Sequence, residues 1–388
     1  MTAEGSLSNV IAAARREVRY LLDTPSELLL MTVFPCVLSG ILAWLLSAGV
    51  IRDLPVVVVD RDRSTLSREL IHRLDNSPGL RVATVLGDMH EAWSRVRRMD
   101  AYAVILIPEL STRRLHHDGS ARVLVYYNAS YLTAGQGASR DVAAVVAGLN
   151  AWLLERDVAK MHGAAGLRSP PLAVQATTLS NPQRSFEHYL LGLLFPAILH
   201  LMGGLGMVSA LGREVRDGTL RPWLSSTAHP VASLVGKLAP YVVLYGALSC
   251  VGLAYLAMIR GDGIAGSIPM LVAGAFALHL ACAGISLLLV GALRDMGTAL
   301  SLCGLYVGTA LAFSGATFPT LGGVLFARVW NALLPLTAYL KLQLQQVDMG
   351  APAIDSLRWL VLLLAFCLLP GAAGVALLLR HAKLQGAS

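Results

Sequence analysis

The sequence predicts an α-helical integral membrane protein with six transmembrane helices and an extracytoplasmic α/β domain inserted between helices 1 and 2. The first observation is composition: 55% of the 388 residues are apolar and 14% are charged, whereas soluble domains carry about 25% charged residues. The second is a series of six long runs without a charged residue. The third is an alternation of strand and helix patterns within residues 52–184, between the first two runs.

Each uncharged run reaches the roughly 20 residues that a helix needs to cross about 30 Å of hydrocarbon. The first lies in a predicted span over residues 26–51, and the other five lie within 185–388. The runs are Leu28–Ile51, His188–Gly212, Leu238–Ile259, Gly263–Leu293, Met296–Ala327 and Trp359–Leu379. The charged pair Arg294-Asp295 separates the fourth run from the fifth and predicts a tight hairpin between them. The fifth run is too long for one helix, so we expect a span to about Gly315, then a turn at Pro319 and Gly322-Gly323.

The distribution of basic residues predicts the orientation. With the N-terminus inside, the short inner segments hold Arg15, Arg16, Arg19, Arg213, Arg216, Arg221, Lys237, Arg294, Arg380 and Lys383, whereas the short outer segments hold Arg260, Arg328, Lys341 and Arg358. The positive-inside rule therefore places both termini in the cytoplasm and the inserted domain outside. The net charge of +7 reflects this topology and contact with the lipid bilayer, and it does not indicate nucleic-acid binding.

Residues 1–25 precede the first span and show helical periodicity. Their apolar positions are Val10, Ile11, Ala14, Val18 and Leu21, with arginines between them. The apolar run that follows is longer than the core of a signal peptide, so we do not expect removal of this segment. The pattern predicts an amphipathic helix over Val10–Leu22 that lies on the inner leaflet. An ordinary solvated helix is the alternative.

The inserted segment predicts an α/β domain with helices packed on a small sheet. The predicted strands are Pro55–Asp60, Arg81–Leu86, Tyr102–Ile107 and Val123–Tyr127. The predicted helices are Ser64–Leu74, Asp88–Met99, a short one after Pro108, and a long one from about Gly135 to Met161. All five cysteines, Cys36, Cys250, Cys282, Cys303 and Cys367, fall in predicted spans, so we expect neither a disulfide framework nor a CxxC metal site.

Acidic residues near the strand ends are the candidates for a catalytic or metal site in this domain. They are Asp60, Asp62 and Asp88, together with the stretch His116-His117-Asp118. However, adjacent histidines point in different directions, Asp60 to Asp62 lie in a self-neutralising turn, and no nucleophile has a base beside it. We therefore predict a non-catalytic chain without a metal site.

Nucleotide binding by this chain is also not expected. The single Gly-Lys pair, Gly236-Lys237, is followed by Leu238 where a P-loop requires Ser or Thr. Val231 stands where the first glycine of that motif belongs. We therefore expect no cofactor on this chain, and any ATPase must be a separate polypeptide.

A charged island, Gly212–Trp223, separates the second run from the third. Together with Val235–Tyr241 it resembles the stretch between the second and third spans of ABC-2 type exporter permeases. In those proteins a charged segment leads into Gly-Thr-Leu, a short helix, and Gly-Lys before the next span. Asn181-Pro182, Phe313–Pro319 and Leu334–Thr337 agree with the same family. One span, a large external domain and five further spans resemble the branch whose members have a large periplasmic domain and work beside periplasmic adaptor proteins.

The resemblance covers essentially the whole chain and implies the transmembrane subunit of an ATP-driven exporter in the bacterial inner membrane. Two permeases, as a homodimer or a heterodimer, would form the pathway. Separate ABC ATPase subunits would carry ATP and Mg²⁺. A periplasmic adaptor and an outer-membrane channel are further partners that it allows. It also implies a coupling helix over about 213–228, which docks in the ATPase, and an outer re-entrant segment over about 319–350.

Within the island, we expect the Thr219 hydroxyl to cap a helix that begins at Leu220. Gly218 would permit a sharp turn, and Pro222 is tolerated in a first helical turn. Trp223 and Leu224 would offer an apolar knob to the ATPase, with charge pairs at its rim from Arg213, Glu214, Arg216 and Asp217. Relatives commonly carry Glu where this chain has Arg221. A plain interfacial loop is the alternative reading of the island.

Inside the spans, His200 and His279 are the strongly polar side chains near mid-membrane, and they are candidates for a substrate path. Neutral histidines hydrogen-bonded between helices are an equally good interpretation. Gly304 and Gly308 form a GxxxG spacing that favours a close helix contact. Two other functions stay open: an ion-coupled secondary transporter, although the runs lack acidic residues, and a membrane-anchored sensor or scaffold. The apolar pathway does not indicate the substrate.

Overall fold

The computed structural model describes residues 3–46, 53–98, 100–118, 121–127, 132–160, 186–259, 263–316 and 324–384. The chain divides into two compact units. One unit comprises Met1–Ser47 and Thr178–Ser388, and the other comprises Ala48–Thr177. The turn predicted at Pro319 and Gly322-Gly323, and the segment Asn181-Pro182, lie outside the described residues.

The helices are named here in chain order. They are α1 (Ala3–Asp23), α2 (Pro25–Leu46), α3 (Thr65–Asp75), α4 (Met89–Arg97), α5 (Ser111–Asp118), α6 (Leu132–Lys160), α7 (Phe186–Arg216), α8 (Leu220–Ser225), α9 (Pro230–Ala254), α10 (Ile268–Leu293), α11 (Met296–Gly308), α12 (Ala310–Phe313), α13 (Leu325–Ala332), α14 (Pro335–Val347) and α15 (Ala353–Leu384). A π-helical turn, Tyr255–Ile259, continues α9.

The inserted unit contains a four-stranded sheet with the order β2-β1-β3-β4. Its strands are β1 (Leu54–Asp60), β2 (Leu80–Leu86), β3 (Ala103–Ile107) and β4 (Leu124–Tyr127). Strand β1 is parallel to both of its neighbours, and β4 is antiparallel to β3. The predicted α/β architecture is confirmed, and the element boundaries agree to within a few residues.

Strand β1 is central and buried on both faces, which explains its uninterrupted valines. Successive side chains of a strand point to opposite faces. Val56 and Val58 therefore pack in one core with residues of α3 and α6, whereas Val57 and Val59 pack in a second core with residues of α4.

Among the described residues of the other unit, six helical segments are long and apolar enough to cross a membrane. They are Pro25–Leu46, His188–Arg216, Pro230–Met258, Ile268–Leu293, Met296–Phe313 and Ala353–Lys383. The predicted hairpin is confirmed: Arg294 adopts a left-handed backbone with φ 56°, and Asp295 accepts a hydrogen bond from the Thr298 amide at 2.7 Å. The third span begins at Pro230 rather than Leu238, so Lys237 lies inside α9 instead of in a loop.

Helices α13 and α14 occupy the described part of the segment predicted to be re-entrant. Helix α14 is largely buried, with Leu336, Tyr339 and Leu340 in a core shared with α10 and α15. The Gln343 amide donates a hydrogen bond to the Gly192 carbonyl at 2.7 Å. This amide satisfies a backbone acceptor of α7 within the bundle, as buried polar groups require.

Glycines bring α10 and α15 into close contact, but not the glycines predicted from sequence. A Cβ atom on Gly374 would lie 2.2 Å from the carbonyl carbon of Leu287, and one on Gly284 would lie 2.4 Å from the Cys367 oxygen. By contrast, no described atom lies within 4 Å of a Cβ built on Gly304 or Gly308. The predicted GxxxG contact is therefore not made within the described part of this chain.

Candidate functional site

The charged island forms the end of α7, a turn and the short helix α8. Arg213 and Glu214 belong to the last turn of α7. Gly218 then takes a positive φ of 68°, which a side chain would disfavour. Helix α8 begins at Leu220 as predicted, with Pro222 in its first turn. The helix itself covers Leu220–Ser225, a shorter range than the predicted 213–228.

The predicted cap at Thr219 is wrong. An N-cap residue has an extended backbone, whereas Thr219 has helical angles (φ −86°, ψ −9°) and makes no side-chain cap. Its hydroxyl instead donates a hydrogen bond to the Glu214 carboxylate. Thr219 therefore ties the start of α8 back to the end of α7.

Arg213 joins α7 to the N-terminal helices. The side chain is buried, and its guanidinium donates hydrogen bonds to Glu17 of α1 at 2.5 Å and to Glu27 of α2. Its guanidinium carbon lies 3.8 Å from the centroid of the Tyr20 ring. Stacking on an aromatic face and pairing with two carboxylates are the interactions that suit a planar guanidinium.

Lys237 joins α9 to the same charged groups. Its Nζ lies 2.6 Å from Glu17 Oε2 and 2.9 Å from Glu214 Oε1. The Tyr241 hydroxyl donates to Glu17 Oε1 at 2.7 Å, and Arg16 donates to Glu214 at 2.9 Å. We call this cluster the buried ion network; its charged members are Arg16, Glu17, Glu27, Arg213, Glu214 and Lys237.

The buried ion network balances three carboxylates against three cations. Glu17, Arg213, Glu214 and Lys237 are each no more than 5% exposed. Charges at such depth are tolerated when they are paired and hydrogen-bonded. Because the six partners come from α1, α2, α7 and α9, the network fixes the relative positions of these helices at the end of the bundle that carries α8.

Trp223 is part of this assembly rather than a free apolar knob. The guanidinium carbon of Arg16 lies 5.0 Å from its ring centroid, and Lys237 Nζ lies 5.4 Å from it, within the range of cation–π contacts. Leu220 and Leu224 are buried in the core of the bundle. The prediction that Leu224 projects towards a partner is therefore wrong.

The exposed part of the island is a narrow polar strip. Arg216 and Asp217 pair with each other at 2.8 Å and have about half of their side chains exposed, so the expectation of surface charges holds for these two. The hydrogen bond from Arg216 lowers the pKa of Asp217. Arg221 and Pro222 of the island, and Ser225 at the end of α8, also belong to the exposed strip. Arg213 and Glu214 are not surface charges, because they are buried within this chain.

Sequence reasoning missed Glu17, Glu27, Arg16 and Tyr241 as members of the site. One signal was present: Glu17 interrupts the apolar face of α1, one turn before Leu21, and a charge on an apolar face needs a buried partner. The partner itself lies about 200 positions away along the chain, since the hydrogen bond joins residue 17 to residue 213. No local pattern connects the two.

His200 and His279 are fully buried among α7, α9 and α10. His200 Nδ1 lies 2.8 Å from Cys282 Sγ, and His279 Nε2 lies 3.0 Å from Ser249 Oγ. Their other ring nitrogens make no hydrogen bond to the described residues. Both histidines thus make hydrogen bonds between helices. Their role in a substrate path stays a prediction.

Two of the acidic candidates of the inserted unit, Asp60 and Asp62, have structural roles. Asp60 accepts hydrogen bonds from the amides of Asp62 and Arg63 at 3.0 and 2.9 Å, which builds the turn after β1. Partial burial raises the pKa of Asp62, but hydrogen bonds led by the Thr112 hydroxyl outweigh this effect and the pKa is lowered overall. Asp88 stands at the N-cap position of α4 but makes no side-chain cap hydrogen bond.

No group of three or more metal-ligating side chains occurs among the residues that the structure describes. Helix α5 contains the stretch His116-His117-Asp118, but these side chains lie outside the described part. The prediction that this stretch holds no metal site therefore stays a prediction.

Comparison with known proteins identifies a family. The family model described as ABC-2 family transporter protein matches residues 25–376. No curated protein and no solved structure matches the chain. The match covers the first span, the inserted unit and nearly all of the last span, which is well over half of the chain. The chain therefore belongs to the ABC-2 family of transporter proteins, as a multi-pass transmembrane subunit.

Proposed function

We propose that this chain is the permease subunit of an ATP-driven exporter and that the island Gly212–Trp223 couples it to a separate ABC ATPase. The observation that carries the proposal is the buried ion network, because it links four helices to one another and the Thr219–Glu214 hydrogen bond ties the start of α8 to it. A plain connecting loop needs no such attachment, and burying its charges would cost free energy. Family membership supports the role of transporter subunit.

In the proposed mechanism, the exposed strip formed by Arg216, Asp217, Arg221 and Ser225 contacts the ATPase. ATP and Mg²⁺ bind to that partner. Closure of two ATPase subunits moves α8, and the Gly218 turn and the Thr219–Glu214 hydrogen bond pass this movement to α7. Lys237 and Glu17 pass it to α9 and α1. Substrate is expelled outward through a pathway formed by two permeases, identical or homologous.

The same proposal places the chain in the bacterial inner membrane, with both termini and α8 in the cytoplasm. Helix α1 braces the assembly at the inner surface. The inserted α/β unit lies in the periplasm, where it receives cargo or seats an adaptor that leads to an outer-membrane channel. The orientation rests on the basic residues of the short predicted inner segments.

Co-purification tests the proposal. The full chain is isolated from its native membrane in mild detergent, and an ABC ATPase is identified by mass spectrometry of its Walker A peptide. We expect Arg221→Glu to abolish this association, because it reverses a charge on the exposed strip. The matched control is Arg358→Glu, which reverses an exposed charge at the start of α15.

Four results decide between the functions. Loss of the ATPase with Arg221→Glu and its retention with Arg358→Glu support the proposal. Equal retention in both variants contradicts coupling through the island. Ion-driven transport by the purified chain without any ATPase would overturn the proposal in favour of a secondary transporter, and binding without transport would favour a sensor or scaffold.

A further inference from the structure

A large apolar groove lies between α9, α10 and α15, on the side of α9 opposite the buried ion network. Its volume is about 600 Å³, within the roughly 300–1,000 Å³ typical of small-molecule sites. The walls are branched side chains, including Val235 and Val243 of α9, which are 51% and 60% exposed. In a transmembrane subunit, an exposed apolar surface of this kind faces lipid or another helix.

Small residues make the floor of the groove. They are Ala283 and Gly284 of α10 and Gly371, Ala372 and Ala376 of α15. The glycines let α10 and α15 approach closely, as shown by the 3.4 Å between a Cβ built on Gly371 and the Gly284 Cα. Because these two helices are close and their side chains are short, the longer side chains of α9 beside them form a wall of the groove. All residues that line the groove are apolar or glycine, which suits an acyl chain.

Polar side chains are found next to one end of the groove. A second cavity of about 410 Å³ is lined by Val231 and Val235, which also line the groove, and by Ser6 and His229. On α15 the groove face runs through Ala372, Ala376 and Leu379, and the next residue at helical spacing is the exposed Lys383. Helix α15 contacts α8, so Lys383 lies at the end of the bundle where α9 begins.

The groove is therefore apolar, and the cationic Lys383 stands one helical turn beyond its last α15 residue, Leu379, at the end that we call the mouth. The start of α9 adds to the positive character of the mouth, because its N-cap residue His229 makes no side-chain cap and a helix N-terminus carries partial positive charge. We propose that the groove binds an anionic phospholipid, with one acyl chain along the small-residue floor and the phosphate at the mouth near Lys383 and His229. The bound lipid holds α9 against α15 from the side opposite Lys237, and the inference does not depend on the proposed exporter function.

Native mass spectrometry tests the proposal on the full chain. The purified protein is stripped of lipid in detergent and then given equimolar phosphatidylglycerol and phosphatidylcholine. We expect one phosphatidylglycerol to stay bound under activation that removes annular lipid. Ala376→Phe fills the floor of the groove and should abolish this retention, whereas Ala373→Phe, a neighbouring exposed alanine that does not line the groove, should leave it unchanged. Ala372→Leu provides a milder second variant for the same floor.

The variant Lys383→Gln separates recognition of the lipid headgroup from binding of the acyl chain. It should lower the preference for phosphatidylglycerol about fivefold, the effect of one cation near an anionic lipid, while total lipid retention persists. Size-exclusion profiles matching the native chain confirm that the variants are folded. Equal retention by Ala376→Phe and the native chain, or equal loss with Ala373→Phe, overturns the proposal. A changed oligomeric state in Ala376→Phe with lipid retention unaltered would show that the groove is instead an interface between copies.

Discussion

At the residue scale, Glu17 is the residue whose replacement should affect the candidate site most. It is 1% exposed and lies on the apolar face of α1, one turn before Leu21. A carboxylate at that depth persists because Arg213, Lys237 and the Tyr241 hydroxyl all reach it. These contacts also keep two cations buried in the bundle. Removal of Glu17 therefore affects three other side chains at once.

We expect Glu17→Gln to destabilise the folded chain by about 3–5 kcal/mol, since breaking a buried ion pair leaves an uncompensated charge. The measurement is the thermal unfolding midpoint of the full chain in detergent. The double variant Glu17→Gln/Lys237→Met removes one charge of each sign and should recover much of the loss. Asp217→Asn, in the exposed pair, should not shift the midpoint. An unchanged midpoint for Glu17→Gln would show that the network does not stabilise the bundle.

At the scale of the element, α8 is a helix of six residues and is too short to be stable alone. Leu220 and Leu224 anchor its inner face, and the Thr219 hydroxyl ties its start to α7. The turn that precedes it depends on the left-handed backbone of Gly218. The orientation of the exposed strip is thus set by one glycine and two leucines.

Gly218 offers a test of this geometry. Gly218→Val should shift α8 and weaken ATPase association, because a branched side chain makes the left-handed backbone unfavourable by more than about 1 kcal/mol. Gly218→Asn should retain most of the association, since Asn tolerates that conformation. The readout is the same co-purification as for Arg221→Glu. Equal behaviour of the two variants would mean that the backbone angle at this turn is unimportant.

At the scale of the whole molecule, the proposed orientation places α8 and the inserted unit on opposite sides of the membrane. The test uses a chain whose native cysteines are replaced, with one new cysteine at Ser225 or at Glu91, which is exposed on α4. A maleimide that cannot cross the inner membrane should label Glu91→Cys in cells with a permeable outer membrane. It should label Ser225→Cys after the inner membrane is opened. The reverse pattern would contradict the proposed orientation.

Much of the fold was predictable because its signals are local. The strands of the inserted unit, the six spans and the hairpin at Arg294-Asp295 each follow from a run, a period or a turn within a few residues. The start of the third span was misplaced, because Lys237 looks like a loop residue until its carboxylate partners are known. The Thr219 cap was wrong for a similar reason: the nearby Glu214 carboxylate offers its hydroxyl another partner.

The sequence by itself determined the class of protein, the order of its elements and the position of the charged island, because hydropathy and periodicity act over neighbouring residues. The tertiary structure alone decided what the island's charges do. Arg213 and Glu214 look like surface charges in the sequence, yet they are buried. Helix α1 brings Glu17 and Arg16 to them, although about 200 residues of chain, including the first span and the inserted unit, separate these partners in the sequence. No local sequence pattern connects partners that are so far apart in the chain. Their pairing attaches to the helices a segment that looks like a loop in the sequence.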